Sequence, residues 1–302
     1  MDVALAKKFD FQPTFYKYSA KEAIFYALGV GTESSGSGLR FVYEKDANFS
    51  VLPTFAVVPG FHVINKLDSV PGLKWDWSKI LHGEQFLQVL RPFPTEATLR
   101  SQGQIADILD KGKGALILIN VDTFNDETNE KLSHAQYSIF EVGAGGFNGE
   151  RTSTEERQVE SVPTRQPDTV VEQGIAANQA ALYRHASGDL NPLHVDPKFA
   201  AKFGFSQPIL HGLCTLGFAV RHVLHQYAND DVSKFVAVKV RFSKPVTPGQ
   251  TLITEMWKED ARIHFQTKLK EDGTVVLGSG YVDLVDPVAI VRDSISDVKI
   301  TA

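Results

Sequence analysis

The sequence contains a single cysteine, Cys214, among its 302 residues. One cysteine cannot form an intrachain disulfide or a cysteine-based zinc site, so both of these scaffolds are excluded. Long apolar runs are also missing, because the longest one, around residues 115–119, is far too short to span a bilayer. The composition fits a reducing compartment, and we expect no insertion into a membrane.

The chain also lacks an excess of positive charge. It has 31 Lys and Arg residues against 36 Asp and Glu residues, which gives a formal net charge of −5. No broad cationic field is available to attract nucleic acid or an anionic membrane, so an anionic ligand has to be met by a local basic patch. We expect no secretory signal at the amino terminus, and residues 300–302 do not form the Ser-Lys-Leu type of peroxisomal address.

Residues 148–168 are polar and carry no apolar period, which predicts a linker that divides the chain nearly in half. On each side of it the same order is predicted: a short apolar helix, a glycine-led second helix, and then alternating strands joined by glycine-containing hairpin turns. We therefore expect two α+β domains, residues 1–147 and 169–302, each with a helix and an antiparallel sheet. A duplicated domain explains this correspondence best.

The most informative segment is residues 187–194, which read Ser-Gly-Asp-Leu-Asn-Pro-Leu-His. It places the carboxylate of Asp189 and the imidazole of His194 five residues apart, and such a pair is suited to general acid–base catalysis. Gly188 and Pro192 impose opposite backbone constraints, one permissive and one fixed, so a turn is predicted to set the geometry of the pair.

The first half lacks this pair. When the two helices are aligned on Tyr26 and Tyr183, Thr32 takes the position of Asp189, and no histidine follows where His194 stands in the second half. We expect the first copy to have kept the fold and lost the chemistry.

Residues 183–194, together with His-Gly-Leu-Cys at 211–214 and His-Gly-Glu-Gln at 82–85, closely resemble the (R)-specific 2-enoyl-CoA hydratases. This is the hydratase 2 or MaoC-like family, which includes the hydratase region of peroxisomal multifunctional enzyme type 2. The resemblance covers essentially the whole chain. It implies a tandem double hot dog, in which a long helix of each half is wrapped by an antiparallel β-sheet.

The resemblance also implies an activity, the reversible syn hydration of trans-2-enoyl-CoA to (3R)-3-hydroxyacyl-CoA in fatty acid β-oxidation. By this likeness, Asp189 and His194 hold and activate a water molecule, Asn191 orients a group by hydrogen bonding, and the backbone N–H of Gly212 stabilises the thioester oxyanion. No metal and no cofactor are expected, since CoA is part of the substrate.

For the CoA moiety, the resemblance implies contacts from His82, Gly83, Lys111 and Phe242. The first domain is expected to contribute the pocket for the acyl chain and CoA. The family also implies a homodimer and peroxisomal residence, with the cytoplasm as the alternative compartment.

Three other functions remain open from the sequence: a dehydratase of acyl-carrier-protein-linked 3-hydroxyacyl chains, a hot dog thioesterase, and a non-catalytic acyl-CoA-binding module. A metal site is a weaker alternative. His222 and His225 share one face of a predicted helix, but no further ligand follows at fixed spacing, so we expect a solvated helix face there.

Overall fold

The computed structural model describes residues 1–285, so residues 286–302, the end of the predicted second domain and the terminal tripeptide, lie outside the described residues. Its helices are α1 (Val3–Lys7), α2 (Ala20–Gly29), α3 (Leu39–Val42), α4 (Val57–Ile64), α5 (Gln179–Ser187), α6 (Pro197–Lys202) and α7 (Gly212–Ala228). Its strands are β1 (Thr14–Tyr18), β2 (Ile80–Val89), β3 (Ala97–Asp110), β4 (Gly114–Asn125), β5 (Lys131–Val142), β6 (Thr169–Gly174), β7 (Phe235–Phe242), β8 (Thr251–Glu259), β9 (Arg262–Leu269) and β10 (Val275–Leu284).

All ten strands form one antiparallel sheet in the order β1-β3-β4-β5-β2-β7-β10-β9-β8-β6. The two halves mirror each other in this order, because β2, β5, β4, β3 and β1 follow outward from the centre as β7, β10, β9, β8 and β6 do. The halves join where β2 pairs with β7, with Gln85 opposite Val240. The predicted tandem double hot dog is confirmed, as two five-stranded units fused into one sheet.

The helices lie on the inner face of this sheet, and here the two copies differ. Helix α7 has 17 residues and α4 only 8, so the long central helix predicted for each half is present only in the second. Side chains of both copies belong to the same buried core. Helices α2 and α5 pack directly on each other, since a Cβ on Gly29 would lie 3.1 Å from the Cβ of Ala186.

The start of α2 is fixed by a capping box. The side chain of Ser19 caps the first turn, while the carboxylate of Glu22 accepts a hydrogen bond from the Ser19 N–H at 2.8 Å. None of the helices in residues 1–285 is both long and apolar enough to cross a membrane.

The predicted linker, residues 148–168, contains neither helix nor strand and runs against the sheet. The guanidinium of Arg157 lies 5.2 Å from the centre of the Phe86 ring, and the indole N–H of Trp257 donates to the carbonyl of Arg165 at 2.8 Å. The segment therefore contacts strands of both copies.

Candidate active site

The turn predicted around Asp189 begins where α5 ends. Gly188 has φ +74°, a left-handed conformation that favours glycine, and its N–H donates to the carbonyl of Arg184 at 3.0 Å. Pro192 then opens a single 3₁₀ turn, Pro192–His194. The two backbone constraints predicted from the sequence are thus present, and they place Asp189 and His194 on either side of one tight bend.

The imidazole of His194 is oriented by the backbone. Its Nδ1 lies 2.8 Å from the carbonyl oxygen of Ile209, which can only accept, so Nδ1 carries the proton. In the neutral ring, Nε2 therefore presents a lone pair to the site. Burial lowers the pKa of His194, and the nearby carboxylate of Asp189 offsets part of this effect.

The carboxyl group of Asp189 is buried beside this imidazole. Burial raises its pKa, while His194 and a hydrogen bond from the N–H of Asn191 to Oδ1 (3.1 Å) act in the opposite direction. The two groups are coupled, so their titration is a property of the pair and not of either residue alone. This arrangement can take a proton from a water molecule and return it.

A third polar side chain in the site, His211, was not assigned a role from the sequence. Its ring stacks on the ring of His194 with centroids 3.6 Å apart, and it lies 4.9 Å from the ring of Tyr183. Both ring nitrogens are buried without a hydrogen-bond partner among the described residues. Burial holds the pKa of His211 well below its ordinary value, so this ring is neutral. The available signal was its position directly before Gly212.

Asp189, His194 and His211 each offer a ligand atom, and these atoms lie within 4.8 Å of one another. One carboxylate and two imidazoles form a donor set that could hold a divalent cation. The same spacing also accommodates a water molecule that contacts more than one of the three groups.

Asn191, predicted to orient a group in the site, acts on the backbone. Its Oδ1 accepts a hydrogen bond from the N–H of Leu193 at 3.0 Å and so caps the 3₁₀ turn that carries His194. Its own carbonyl accepts from the guanidinium of Arg184 at 3.2 Å. Both contacts fix the distance between the two proposed catalytic groups.

Gly212 is the first residue of α7 and lies against one of the predicted CoA contacts. A Cβ on Gly212 would stand 3.0 Å from the ring of Phe242. That ring packs 4.8 Å from the ring of His82, which follows the start of β2. Gly83 sits at an irregularity in the pairing of β2 with β5, between His82 and Glu84. Four predicted residues, Gly212, Phe242, His82 and Gly83, are therefore brought together at the junction of the two copies.

His82 is half-buried in this junction, and its Nε2 is enclosed. Burial lowers its pKa to about 4, and its Nε2 has no hydrogen-bond partner among the described residues. A neutral ring with a free nitrogen can bind a ligand without bringing charge into the junction.

Lys111 lies in the hairpin turn between β3 and β4, at the end of the sheet where β2 begins. Its ammonium donates to the carbonyl of Arg151 at 2.7 Å and to the carboxylate of Glu156 at 3.2 Å. In this arrangement Lys111 binds the segment between the copies, so a phosphate contact would require its ammonium to exchange partners.

Comparisons with known proteins cover both halves of the chain. A family model described as the MFE-2 hydratase 2 N-terminal domain matches residues 16–143, and one described as the MaoC like domain matches residues 158–279. Peroxisomal multifunctional enzyme type 2 of Mus musculus is 52% identical over 271 residues, which are 89% of this chain and 36% of that protein. The structure of full-length peroxisomal multifunctional enzyme type 2 from Drosophila melanogaster superposes with a TM-score of 0.81 at 42% identity, over 90% of this chain and 48% of that one.

The chain thus spans between about a third and a half of these multifunctional relatives. A shorter relative is matched almost completely: probable enoyl-CoA hydratase 2 of Dictyostelium discoideum is 38% identical over 291 residues, which are 95% of this chain and 98% of that protein. With this agreement of sequence, fold and site geometry, the chain belongs to the hydratase 2 family of MaoC-like double hot dog proteins.

Proposed function

We propose that this protein is a hydro-lyase that adds water reversibly to trans-2-enoyl-CoA and forms (3R)-3-hydroxyacyl-CoA. One observation carries the proposal: three groups lie together at one place. They are the half-buried carboxylate of Asp189, the imidazole of His194 with its free Nε2, and Gly212, which opens a long helix. The names of the relatives, which include enoyl-CoA hydratase 2 and peroxisomal multifunctional enzyme type 2, support the same chemistry.

In this mechanism a water molecule lies between the carboxylate of Asp189 and Nε2 of His194. Asp189 acts as the base and orienter, and His194 is its partner in proton transfer. As the water oxygen bonds to C3 of the substrate, its proton passes to the pair. The pair delivers a proton to C2 on the same face of the alkene and returns to its starting protonation state.

The developing negative charge on the thioester oxygen needs a donor. The first N–H groups of a helix have no partner within the helix, and the dipole of α7, which is 17 residues long, places partial positive charge at its start. Gly212 has no Cβ, so a carbonyl oxygen can approach its N–H closely. We assign the oxyanion contact to this group.

We assign the CoA moiety to the junction formed by His82, Gly83 and Phe242, with Lys111 at the same end of the sheet. We assign the acyl chain to the side of the first copy. The reaction as proposed needs neither metal nor redox cofactor, because the Asp189 and His194 pair supplies proton transfer and Gly212 supplies charge stabilisation. Exhaustive dialysis against EDTA is therefore expected to leave the rate unchanged.

The test is the loss of the conjugated enoyl-thioester absorbance on addition of the purified protein, followed by chiral analysis of the product. The expected product is the 3R alcohol, and a 3S product would reject the proposal. Release of free thiol, measured with a thiol-reactive dye, would indicate a thioesterase instead. Insensitivity to competition by free CoA would favour a substrate linked to acyl carrier protein, an alternative kept open by the 34% identity to 3-hydroxyacyl-thioester dehydratase Y of Mycobacterium tuberculosis.

We further propose a homodimer and a role in peroxisomal fatty acid β-oxidation. The peroxisomal names of the relatives from Mus musculus, Drosophila melanogaster and Arabidopsis thaliana support the compartment. Light scattering coupled to size-exclusion chromatography tests the dimer, and imaging of the tagged full-length protein tests the compartment. A monomer or a diffuse cytoplasmic signal would contradict the respective proposal.

A further inference from the structure

A cavity of about 220 Å³ lies between the turn that follows α2 in the first copy and the elements β6 and α7 of the second. Thr32 and Ser37 line it from the first copy. Gln173, Arg221 and Asp230 line it from the second. None of the residues assigned to the proposed active site takes part in it.

This cavity lies beside the turn of the first copy that corresponds to the proposed catalytic turn of the second. Gly31, the second residue after α2, has φ +75°, and Gly188, the first residue after α5, has φ +74°. Thr32 then takes the position of Asp189. A 3₁₀ turn follows in each copy, Gly36–Gly38 in the first and Pro192–His194 in the second.

Proton-transfer and oxyanion groups have been lost from this place. The displacement that relates Tyr183 to Tyr26 brings Ser37 to the position of His194, so hydroxyl groups replace both the carboxylate and the imidazole. It also brings Phe55, which is fully buried, to the position of Gly212. The cavity thus lacks counterparts of the proton-transfer pair, which makes it suited to binding without turnover.

The floor of the cavity is a fixed hydrogen-bond network from the second copy. Oε1 of Gln173 accepts from Nη1 of Arg221 at 3.3 Å and from Nε2 of His222 at 2.9 Å, while Nδ1 of His222 lies 2.9 Å from the hydroxyl of Thr254. Nε2 of Gln173 donates to the carbonyl of Gly31 at 2.9 Å. Each member is held by others, so the donors facing the cavity are pre-organised.

Donor capacity remains unused on two side chains that line the cavity, Arg221 and Thr32. Nη1 of Arg221 donates to the carbonyl of Val30 at 2.9 Å, but its guanidinium forms no ion pair within residues 1–285, and its other nitrogens make no hydrogen bond there. Thr32 is 6% exposed, and its hydroxyl lacks a partner among the described residues. A buried hydroxyl without a partner is costly unless a ligand satisfies it.

Acceptors line the same space. Glu172 is paired with Lys270, and Asp230 with His225 at 2.9 Å. Glu33 also lines the cavity and forms no ion pair in the part of the chain that the structure describes. The cavity thus offers a ligand the guanidinium of Arg221, the hydroxyl groups of Thr32 and Ser37, and the carboxylate of Glu33 as an acceptor.

We propose that this cavity is a second, non-catalytic site for a small hydroxycarboxylic acid, whose carboxylate binds Arg221 and Thr32 and whose hydroxyl donates to Glu33. Guanidinium groups bind carboxylates strongly, which favours this orientation. The volume lies below the ~300–1,000 Å³ of sites for drug-sized ligands, so a complete CoA thioester is excluded.

The test uses (R)-3-hydroxybutyrate as the probe and the full 302-residue chain carrying Asp189→Asn, which suppresses turnover at the proposed active site. Calorimetry and ligand-observed NMR measure its dissociation constant. Butyrate, which lacks the hydroxyl, and 1,3-butanediol, which lacks the carboxylate, are matched comparators. We expect saturable binding of the probe and at least tenfold weaker binding of the diol, because a charge-assisted contact is lost.

Thr32→Val is the diagnostic variant, since it is nearly isosteric and removes a hydroxyl that has no partner in the protein. It is expected to weaken probe binding about fivefold while the hydration rate stays unchanged and the free energy of unfolding does not fall. Arg221→Gln is expected to weaken binding at least tenfold. Arg221 also contacts the carbonyl of Val30, so its substitution affects the fold as well. If Arg221→Gln does not fold, the proposal is judged on Thr32→Val alone.

Three outcomes would overturn the proposal: no saturable binding of the probe, equal affinity in the wild-type cavity and in Thr32→Val, or stronger binding of the diol than of the probe. Competition of the probe by an excess of CoA would place it in the proposed active site and would also reject the second site. Each of these results is independent of whether the protein hydrates enoyl-CoA.

Discussion

His194 and His211 stack face to face, with ring centroids 3.6 Å apart and an angle of 26° between the rings. One face of His194 is thereby closed to solvent, while its Nδ1 is held by the carbonyl of Ile209. The only free acid–base position of the ring is Nε2, on the side where Asp189 lies. The carbonyl of Ile209 therefore fixes which nitrogen carries the proton, and the stack restricts the movement of the proposed catalytic imidazole.

The pH dependence of kcat/KM should report the Asp189 and His194 pair. Burial raises the pKa of Asp189 from its ordinary value of 3.8 and lowers that of His194 from 6.5. As the pH falls, the pair gains a proton and can no longer accept one from water, so activity is lost. We expect the acid limb to lie between these two ordinary values. Initial rates of enoyl-CoA hydration across this range check it, and an acid limb above 6.5 would contradict the buried, neutral histidine.

Truncation of His211 should act through His194. In His211→Ala the face of the His194 ring becomes hydrated, its pKa rises towards its ordinary value, and the acid limb of the profile moves to higher pH. Loss of the stack should also lower kcat by roughly ten- to a hundredfold, because the base is less well placed.

His211→Phe is the matched control for this effect. A phenyl ring can keep the stack and exclude water, so the acid limb should stay where it is in the wild type. A wild-type pH profile in His211→Ala would show that the stack does not position His194.

Asp189→Asn should reduce kcat by about 100-fold or more, the range expected when a general base is removed. The matched control is Asp196→Asn, seven residues further along. Asp196 accepts a hydrogen bond from the N–H of Lys198 at 2.8 Å and caps α6, a role that asparagine fills equally well. We expect wild-type kcat and stability for the control, with rates and urea midpoints as the measurements. Equal loss in both variants would point to damage of the local fold instead of loss of a base.

The turn that carries the proposed catalytic pair was predictable because its determinants are local. Gly188 supplies the left-handed residue that ends α5, and Pro192 starts the next turn, so a few adjacent residues fix the backbone. The duplicated architecture was predictable for a related reason, since the order of helices and strands is repeated along the chain. Residue spacing alone suffices for features of this kind.

The residues that were missed depend on contacts between distant parts of the chain. His211 reaches His194 only because α7 starts beside the turn, and nothing in its own neighbourhood indicates a stack. His222 was expected on a solvated helix face, and this was wrong: it is 5% exposed because Gln173 of β6 and Thr254 of β8 cover it. Helical spacing gives the face on which a residue lies, but tertiary packing decides whether that face is buried.

The burial of His222 leads to a prediction about stability. Burial lowers its pKa from 6.5 to about 3, so between these values the unfolded chain binds a proton that the folded chain does not. With respect to this group, the free energy of unfolding is highest above pH 6.5. It falls as the pH falls, by about 2 kcal/mol at pH 5.

His222→Gln should be less stable than the wild type at pH 7 and should lose less stability on acidification, because this group no longer titrates. His185→Gln, on the exposed side of α5, is the control and should keep the wild-type pH dependence. Urea unfolding at pH 7 and pH 5 measures all three proteins, and an identical loss in His222→Gln and the wild type would exclude His222 as the source of acid sensitivity.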